Sequence, residues 1–267
     1  MPKEKVGDIN MYYEIHGEGE PVLLIMGHSG TTALWGPMIP LLSREYRVIA
    51  FDNRGIGYSE APESPISAKT MADDAAGLMD TLGIDSAHVF GASMGGMIAQ
   101  ELVLNYPEKV LCLILGCTSP GGSQAPLPDE TAAIAGQLAD MSQDDLAKML
   151  PAMFYPPEFM ESNPQAVEET IGWLMEKPIP PWVRVRQTET VVAHDTYERL
   201  PQIKAPTLVI GGEKDMLIPP EYQRLLASRI PNAQLVMWHD VGHGFLLQKP
   251  HETLNVVLDF LRRHPKK

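Results

Sequence analysis

The chain contains 267 residues and carries a formal net charge of −13 at pH 7. A chain of this length can bury a substantial core as one domain that carries an insertion. The negative charge disfavours nucleic acid and anionic membrane surfaces as partners, because both repel an acidic protein.

The N-terminal end carries no predicted targeting segment. Residues 3–8 include two lysines, a glutamate and an aspartate, whereas a signal peptide needs an apolar stretch. No run in the sequence is apolar over the length that a membrane span requires. Cys112 and Cys117 lie five residues apart on one predicted strand, so they face opposite sides of the sheet, which argues against an internal disulfide. We therefore expect a cytoplasmic protein with no membrane partner.

Short apolar strands alternate with amphipathic helices through the first 119 residues. Ser67 is a predicted helix cap and Gly83 a predicted helix end, and the apolar residues between them recur at helical spacing. This alternation predicts a mostly parallel sheet covered by helices on both faces. The elements predicted before this helix are a strand over 11–16, a strand over 22–26, a helix near 34–42 and a strand over 47–51.

A serine lies at the junction of the next predicted strand and helix. The strand ends at Phe90, and the sequence Gly-Ala-Ser-Met-Gly follows over 91–95. A sharp turn brings the residues two places before and after the serine very close, so both must be glycine. The turn holds the hydroxyl clear of the backbone at the start of a helix, where negative charge is favoured. Ser93 is therefore the predicted nucleophile.

Two later strands supply the partners that a nucleophilic serine needs, namely a base and a carboxylate that orients it. Asp215 and His243 each follow a predicted strand. Because parallel strands end at one edge of a sheet, these loops can converge on Ser93. The rival acids do not follow a buried strand; they are Asp240 and the aspartates at 140, 144 and 145. We therefore predict a triad of Ser93, His243 and Asp215.

The alternation of strands and helices stops over residues 120–200 and resumes over 201–267. The intervening segment contains short helical patterns broken by prolines, and it has no strand-like run. We therefore divide the chain into a core made of residues 1–119 and 201–267 and an inserted segment made of residues 120–200.

Four motifs together resemble the α/β-hydrolase fold, of the ester-hydrolase and lactonase type. They are the turn around Ser93, the Gly-Glu-Lys-Asp loop over 212–215, the Gly-His-Gly loop over 242–244 and the segment 51–59, which reads Phe-Asp-Asn-Arg-Gly-Ile-Gly-Tyr-Ser. The resemblance implies a mostly parallel sheet of about eight strands flanked by helices. It also implies that residues 120–200 form a helical cap over the active site. We expect a structural role for the segment 51–59.

The resemblance further implies the backbone donors that stabilise an oxyanion. In the family, one donor follows the nucleophile and the other follows the third strand, and here these are the N–H groups of Met94 and His28. Many relatives have His-Gly at the end of that strand, whereas this chain has Met26-Gly27 with the histidine next. Two orientations of the His28 side chain are open, one into the pocket and one hydrogen-bonded within its loop.

The composition of the inserted segment indicates an apolar substrate. A cap excludes water and lines the pocket, and this one is rich in methionine, which packs adaptably. We expect the pocket to include Gly27 and, from the cap, Met153, Trp173 and Trp182. The predicted reaction is hydrolysis of a small to medium apolar carboxylic ester or lactone through an acyl-enzyme intermediate, without a cofactor or a metal.

Three other functions are open on the same residues. A cofactor-free haloperoxidase or perhydrolase shares every motif. A carbon–carbon bond hydrolase shares the triad, but its relatives usually have a Gly-Gly-Pro-Gly style loop that residues 27–30 do not match. A ligand receptor that kept the triad is the alternative outside enzymes. His239 and His243 resemble a metal pair only on a helix, which the adjoining glycines oppose, and no pattern predicts the oligomeric state.

Overall fold

Eight strands form one sheet in the computed structural model, which describes residues 2–60, 62, 66–129, 131 and 141–266. The strands lie in the order β1-β2-β4-β3-β5-β6-β7-β8. The pairs made by β1 with β2 and by β2 with β4 are antiparallel, and the remaining pairs are parallel. Their bounds are β1 Lys3–Val6, β2 Ile9–His16, β3 Pro21–Ile25, β4 Arg47–Phe51, β5 Ala87–Ala92, β6 Val110–Gly116, β7 Thr207–Gly212 and β8 Gln234–Trp238.

The central strands are buried on both faces, as their unbroken apolar runs predict. All residues of β5 and of β7 are buried. In the parallel pairing of β3 with β5, Ile25 lies opposite Gly91. This register sets the turn after β3 beside the turn after β5, at the carboxyl edge of the sheet. The sheet thus confirms the predicted fold class.

Helices cover both faces of the sheet. Helices α2, α3 and α8 pack with one face of the sheet, and α1 and α10 pack with the other. The predicted cap of α2 is confirmed, because Ser67 Oγ accepts a hydrogen bond from the Thr70 N–H at 3.0 Å. The bounds are α1 Ile39–Leu42, α2 Ala68–Thr81, α3 Met94–Asn105, α4 Gln143–Phe154, α5 Pro157–Ser162, α6 Pro164–Met175, α7 Pro181–Ala193, α8 Pro220–Arg229, α9 Phe245–Gln248 and α10 Pro250–Arg262.

Among the residues that the structure describes, four α-helices, α4 to α7, lie between β6 and β7 in the chain, and we call them the cap helices. Tyr155 follows α4 and is buried, and its hydroxyl lies 2.6 Å from Thr170 Oγ1 on α6. The two ends of the inserted segment meet, because Gly121 pairs with Asp195 as an isolated β-bridge. The division of the chain at residues 120 and 200 remains a prediction. In the described part of the chain, no helix has both the length and the apolar character to cross a membrane.

Candidate active site

The turn between β5 and α3 forces Ser93 into an unusual backbone conformation. Its φ is +57° and its ψ is −126°, a region that residues with a side chain rarely adopt. A Cβ atom on Gly91 would overlap the carbonyl oxygen of Gly95, and one on Gly95 would overlap the carbonyl oxygen of Ile25. Glycine at both positions is therefore a steric requirement. The Ser93 N–H donates to the Gly116 carbonyl oxygen on β6 at 2.8 Å, which anchors the turn to the sheet.

Ser93, His243 and Asp215 form one hydrogen-bonded chain. His243 Nε2 lies 2.9 Å from Ser93 Oγ, and His243 Nδ1 lies 2.8 Å from Asp215 Oδ2. The imidazole and the carboxylate are both buried. With Nδ1 donating to the carboxylate, Nε2 is left to accept the hydroxyl proton of the serine. The structure thus brings together the three residues that the sequence predicts as a triad, in the geometry of a nucleophile, a base and an orienting acid.

The backbone that follows Asp215 fixes its carboxylate. Oδ1 accepts hydrogen bonds from the N–H groups of Leu217 and Ile218, each at 2.9 Å, which leaves Oδ2 for His243. Two backbone donors on one oxygen hold the orientation of the carboxylate. No pattern in the sequence marks Leu217 and Ile218 for this role, because their backbone rather than their side chains performs it.

The same cluster contains a third potential metal ligand, the Cys117 thiol. In the described part of the chain, Cys117, Asp215 and His243 are the one set of three such residues whose donor atoms lie within 4.8 Å of one another. Burial, together with the Asp215 charge, raises the pKa of the Cys117 thiol well above its usual value, whereas metal binding needs the thiolate. The imidazole and the carboxylate also bond to each other. The donor set fits proton transfer better than metal binding.

Two backbone N–H groups point to an oxyanion site beside Ser93. Met94 N and His28 N donate to no acceptor in the described residues, although Met94 is buried. A Cβ atom on Gly27 would lie 2.8 Å from Ser93 Cβ and 3.3 Å from Met94 N. The turn that carries His28 therefore lies against the serine, and Gly27 permits this approach. Donors of this kind, aimed before reaction at the place where negative charge develops, stabilise a tetrahedral intermediate.

The His28 side chain lines the cavity described below and is hydrogen-bonded both to its own loop and to α7. Nε2 lies 3.2 Å from the Arg184 carbonyl oxygen and 3.1 Å from Thr188 Oγ1, both on α7. Nδ1 lies 3.0 Å from Ser29 Oγ. Burial, opposed by the bond to the Arg184 carbonyl, lowers the pKa of His28 to about 4. The imidazole is therefore neutral at neutral pH, with Nε2 carrying the proton because a carbonyl oxygen can only accept.

A cavity of about 280 Å³ opens onto Ser93 and His243. Of the four residues that the sequence places in the pocket, Met153 lines this cavity, whereas Gly27, Trp173 and Trp182 are not among the described residues that line it. Trp173 instead packs against Gly36, and Trp182 is 39% exposed. The lining is mostly apolar and comes largely from the inserted segment between β6 and β7. Its apolar residues include Leu146, Leu150, Met153, Phe154, Leu174, Ile179 and Val191. The Phe154 ring meets the His243 ring edge-on at 5.6 Å between centroids.

The segment 51–59 supports the turn that carries His28. Asn53 Nδ2 donates to the Met26 carbonyl oxygen at 2.8 Å. Asp52 is buried and accepts the N–H groups of Thr32 and Tyr58 at 2.9 and 3.0 Å, and burial raises the pKa of its carboxyl to about 6. These bonds to backbone fit the structural role that we expect for this segment.

The sequence matches two family models and several known proteins over most of its length. A family model described as alpha/beta hydrolase fold matches residues 20–168, and one described as TAP-like protein matches residues 182–264. A protein of Azorhizobium caulinodans named as the carbamate hydrolase RutD is 32% identical, over 97% of this chain and 98% of that protein. A protein of Mycobacterium tuberculosis named as the non-heme bromoperoxidase BpoC is 32% identical, over 94% and 97%.

Solved structures agree with these matches. The enol-lactonase from Burkholderia xenovorans LB400 is similar with a TM-score of 0.89 at 27% identity, over 98% of this chain and 100% of that one. A thermophilic esterase from Thermogutta terrifontis is similar with a TM-score of 0.88 at 27% identity, over 99% and 100%. Sheet order, family match and relatives lead to one conclusion: this enzyme belongs to the alpha/beta hydrolase fold family.

Proposed function

We propose that the protein is a serine hydrolase that cleaves a carboxylic ester or lactone through an acyl-enzyme intermediate. The observation that carries the proposal is the continuous chain from Ser93 Oγ through His243 to Asp215, with bonds of 2.9 and 2.8 Å. An imidazole nitrogen within hydrogen-bond reach of a serine hydroxyl can act as its general base. The named activities of similar proteins, an esterase and an enol-lactonase, support this reaction class.

The proposed reaction has two halves that use the same base. In the first, Ser93 Oγ attacks the carbonyl carbon while His243 Nε2 takes the hydroxyl proton, and the N–H groups of His28 and Met94 bind the oxyanion. The tetrahedral intermediate then loses the alcohol, which takes the proton from His243. In the second half, His243 deprotonates water, which attacks the acyl carbon. Ser93 Oγ leaves and regains its proton.

The lining of the cavity favours binding of a substrate that is largely apolar and carries no positive charge. Apolar side chains of the cap form most of its lining, and their burial by the substrate favours apolar groups. Lys177 and Arg184 are the charged side chains other than histidine among the described lining residues, and both are cationic. A cationic substrate is disfavoured by these charges.

A second candidate function is perhydrolysis or halogenation. It is favoured by the similarity to the protein named as the non-heme bromoperoxidase BpoC. In this reaction hydrogen peroxide replaces water as the attacker of the acyl-enzyme and releases a peracid. In halogenation the peracid then oxidises bromide to hypobromite and is itself reduced to the carboxylic acid. The same triad and oxyanion donors would serve, so the two functions differ only in the second attacking molecule.

The test is hydrolysis of p-nitrophenyl esters from acetate to decanoate by the wild-type enzyme and the Ser93→Ala variant. We expect multiple turnovers, with an optimum chain length set by the cavity, and a loss of roughly a million-fold in kcat in the variant. Turnover in folded Ser93→Ala protein at the wild-type rate would refute the proposal. Bromination of an organic dye in the presence of bromide, hydrogen peroxide and acetate, at a rate above that of ester hydrolysis, would favour the second candidate.

A further inference from the structure

One cap helix holds the turn that carries a proposed oxyanion donor. We call residues 27–30, between β3 and the helical turn Thr32–Trp35, the oxyanion loop. The N–H of Ser29 donates to Gln187 Oε1 on α7 at 2.8 Å. Gln187 is fully buried although it lies on an inserted segment. A buried glutamine that accepts a backbone N–H from a distant loop fixes the position of that loop.

The oxyanion loop needs such support because its backbone is strained. Ser29 has a φ of +59° without being glycine, and this conformation persists only where surrounding contacts impose it. The bond from Ser29 N to Gln187 is made at this residue, one position after the proposed donor His28. Release of this bond would free the peptide between His28 and Ser29, and the adjoining peptide that carries the His28 N–H would lose a contact that fixes its orientation.

The neighbouring residue is held by the same helix. His28 Nε2 lies within hydrogen-bond distance of the Arg184 carbonyl oxygen and of Thr188 Oγ1. Arg184, Gln187 and Thr188 occupy adjacent positions on one face of α7, three and four residues apart. Three acceptors from one face thus engage two successive residues of the oxyanion loop.

We propose that Gln187 is a positioning residue for the oxyanion hole, and that the hole is complete only when α7 is seated on the loop. This proposal rests on the proposed function, because it concerns the donor that the acyl-transfer reaction would use. It gives the cap a role in transition-state stabilisation besides lining the pocket. Gln187 is not among the described residues that line the cavity, so its effect on substrate acts through His28.

Three variants separate positioning from folding. Gln187→Met removes the acceptor at nearly constant length, and Gln187→Glu keeps an oxygen that can accept the Ser29 N–H. Glu189→Gln, an exposed position on the same helix, is the matched control. Active sites are counted with a fluorophosphonate that labels Ser93, so that kcat refers to folded enzyme. The affinity for an alkylboronic acid, which forms a tetrahedral adduct on serine, measures oxyanion stabilisation.

We expect Gln187→Met to lower kcat per active site by about 10- to 100-fold, because a donor displaced by about 1 Å loses most of its effect. Boronic acid affinity should fall in proportion, whereas KM should change little. Gln187→Glu should recover most of the loss, and Glu189→Gln should match the wild type. A kcat and a boronic acid affinity in Gln187→Met within about twofold of the wild type would overturn the proposal. The proposed function fails separately, if Ser93→Ala retains activity.

Discussion

Among single residues, the proposed site depends on which hydrogen-bond partner each polar atom has. Asp215 Oδ1 is held by two backbone N–H groups and Oδ2 by His243. The carboxylate can therefore bond to the imidazole only through Nδ1, and this bond selects the tautomer in which Nε2 accepts a proton. The orientation of the base is thus imposed by the turn 215–218, and not by the triad residues alone.

The Asp215→Asn variant tests whether the hydrogen bonds of the Asp215 carboxylate set the tautomer of His243. The asparagine oxygen can keep the bonds from Leu217 and Ile218, so its NH₂ faces His243 Nδ1 and forces the proton onto Nε2. The base can then no longer accept from Ser93, and we expect kcat for ester hydrolysis to fall by about ten-thousand-fold. Steady-state kinetics on the best p-nitrophenyl ester measure it. Asp240→Asn is the control, because Asp240 is exposed and pairs with Lys249 at 3.0 Å; an equal loss in both variants would contradict the role of Asp215.

At the scale of elements, the turn between β5 and α3 works because three backbone segments meet without side chains. Gly27, Gly91 and Gly95 each lie so close to another segment that a Cβ atom would collide with it. For Gly95 the obstacle is the β3 backbone, which cannot move without disturbing the sheet. The close approach also sets the backbone of Gly27, the residue before His28, against Ser93 and the N–H of Met94.

We expect alanine to disrupt the protein at Gly95 but to be tolerated at another glycine that lies on a helix. We expect Gly95→Ala to lose the folded state or nearly all ester hydrolysis, because its Cβ overlaps the Ile25 carbonyl oxygen. Gly172→Ala, on α6, meets nothing within 4 Å and should raise the free energy of unfolding by about 0.5–1 kcal/mol. Circular dichroism during urea unfolding measures the stability of the two variants, and p-nitrophenyl ester hydrolysis measures their activity. A Gly95→Ala protein with wild-type stability and activity would refute this account of the turn.

The fold was predictable from sequence wherever strands are continuous apolar runs. Strand β1 was not predicted, because only Val6 of its four residues is buried and the strand lies at the sheet edge, paired with β2 alone. The turn around Ser93 and the loops carrying Asp215 and His243 have local signatures, since glycines and strand ends are visible in sequence. Gln187 has none, because its role depends on a contact with a residue 158 positions away.

The pocket was only partly predictable for the same reason. Met153 and Trp173 both belong to an apolar cap, but composition does not say which side of a helix faces the core. The structure places Met153 on the cavity and Trp173 against Gly36. The sequence therefore predicts the apolar character of the pocket. Which side chains line it depends on how α4 and α6 pack, and this is visible only in the structure.

At the scale of the whole molecule, the cap and the sheet are joined at a buried polar cluster. His194 is 5% exposed and its carbonyl oxygen accepts the N–H of Gly122. Thr196 donates its N–H to the Pro120 carbonyl oxygen and its hydroxyl to Gln100 Oε1. Burial lowers the pKa of the His194 imidazole to about 4. The unfolded chain binds a proton at this residue near pH 6.5, whereas the folded chain does not.

This difference predicts a loss of stability in acid. Between pH 6.5 and 4 the unfolded state binds more protons at His194 than the folded state, so the free energy of unfolding falls as pH falls through this range. From about pH 7.5 to about pH 4.5 the contribution of His194 is roughly 2–3 kcal/mol. Urea unfolding at both pH values should show a smaller acid loss, by about this amount, in His194→Gln than in the wild type. An identical acid loss in both proteins would contradict the lowered pKa.

The proposed role of Ser93 as the nucleophile of an ester hydrolase can be tested by titration with a fluorophosphonate. Wild-type enzyme is treated with increasing amounts of a fluorophosphonate, and each sample is assayed for p-nitrophenyl ester hydrolysis and for the mass of its Ser93 peptide. We predict that activity falls in step with modification of Ser93 and reaches zero at one label per chain, whereas Ser93→Ala protein takes up no label. Full activity in completely labelled enzyme, or labelling at another residue with Ser93 unmodified, would show that Ser93 is not the nucleophile.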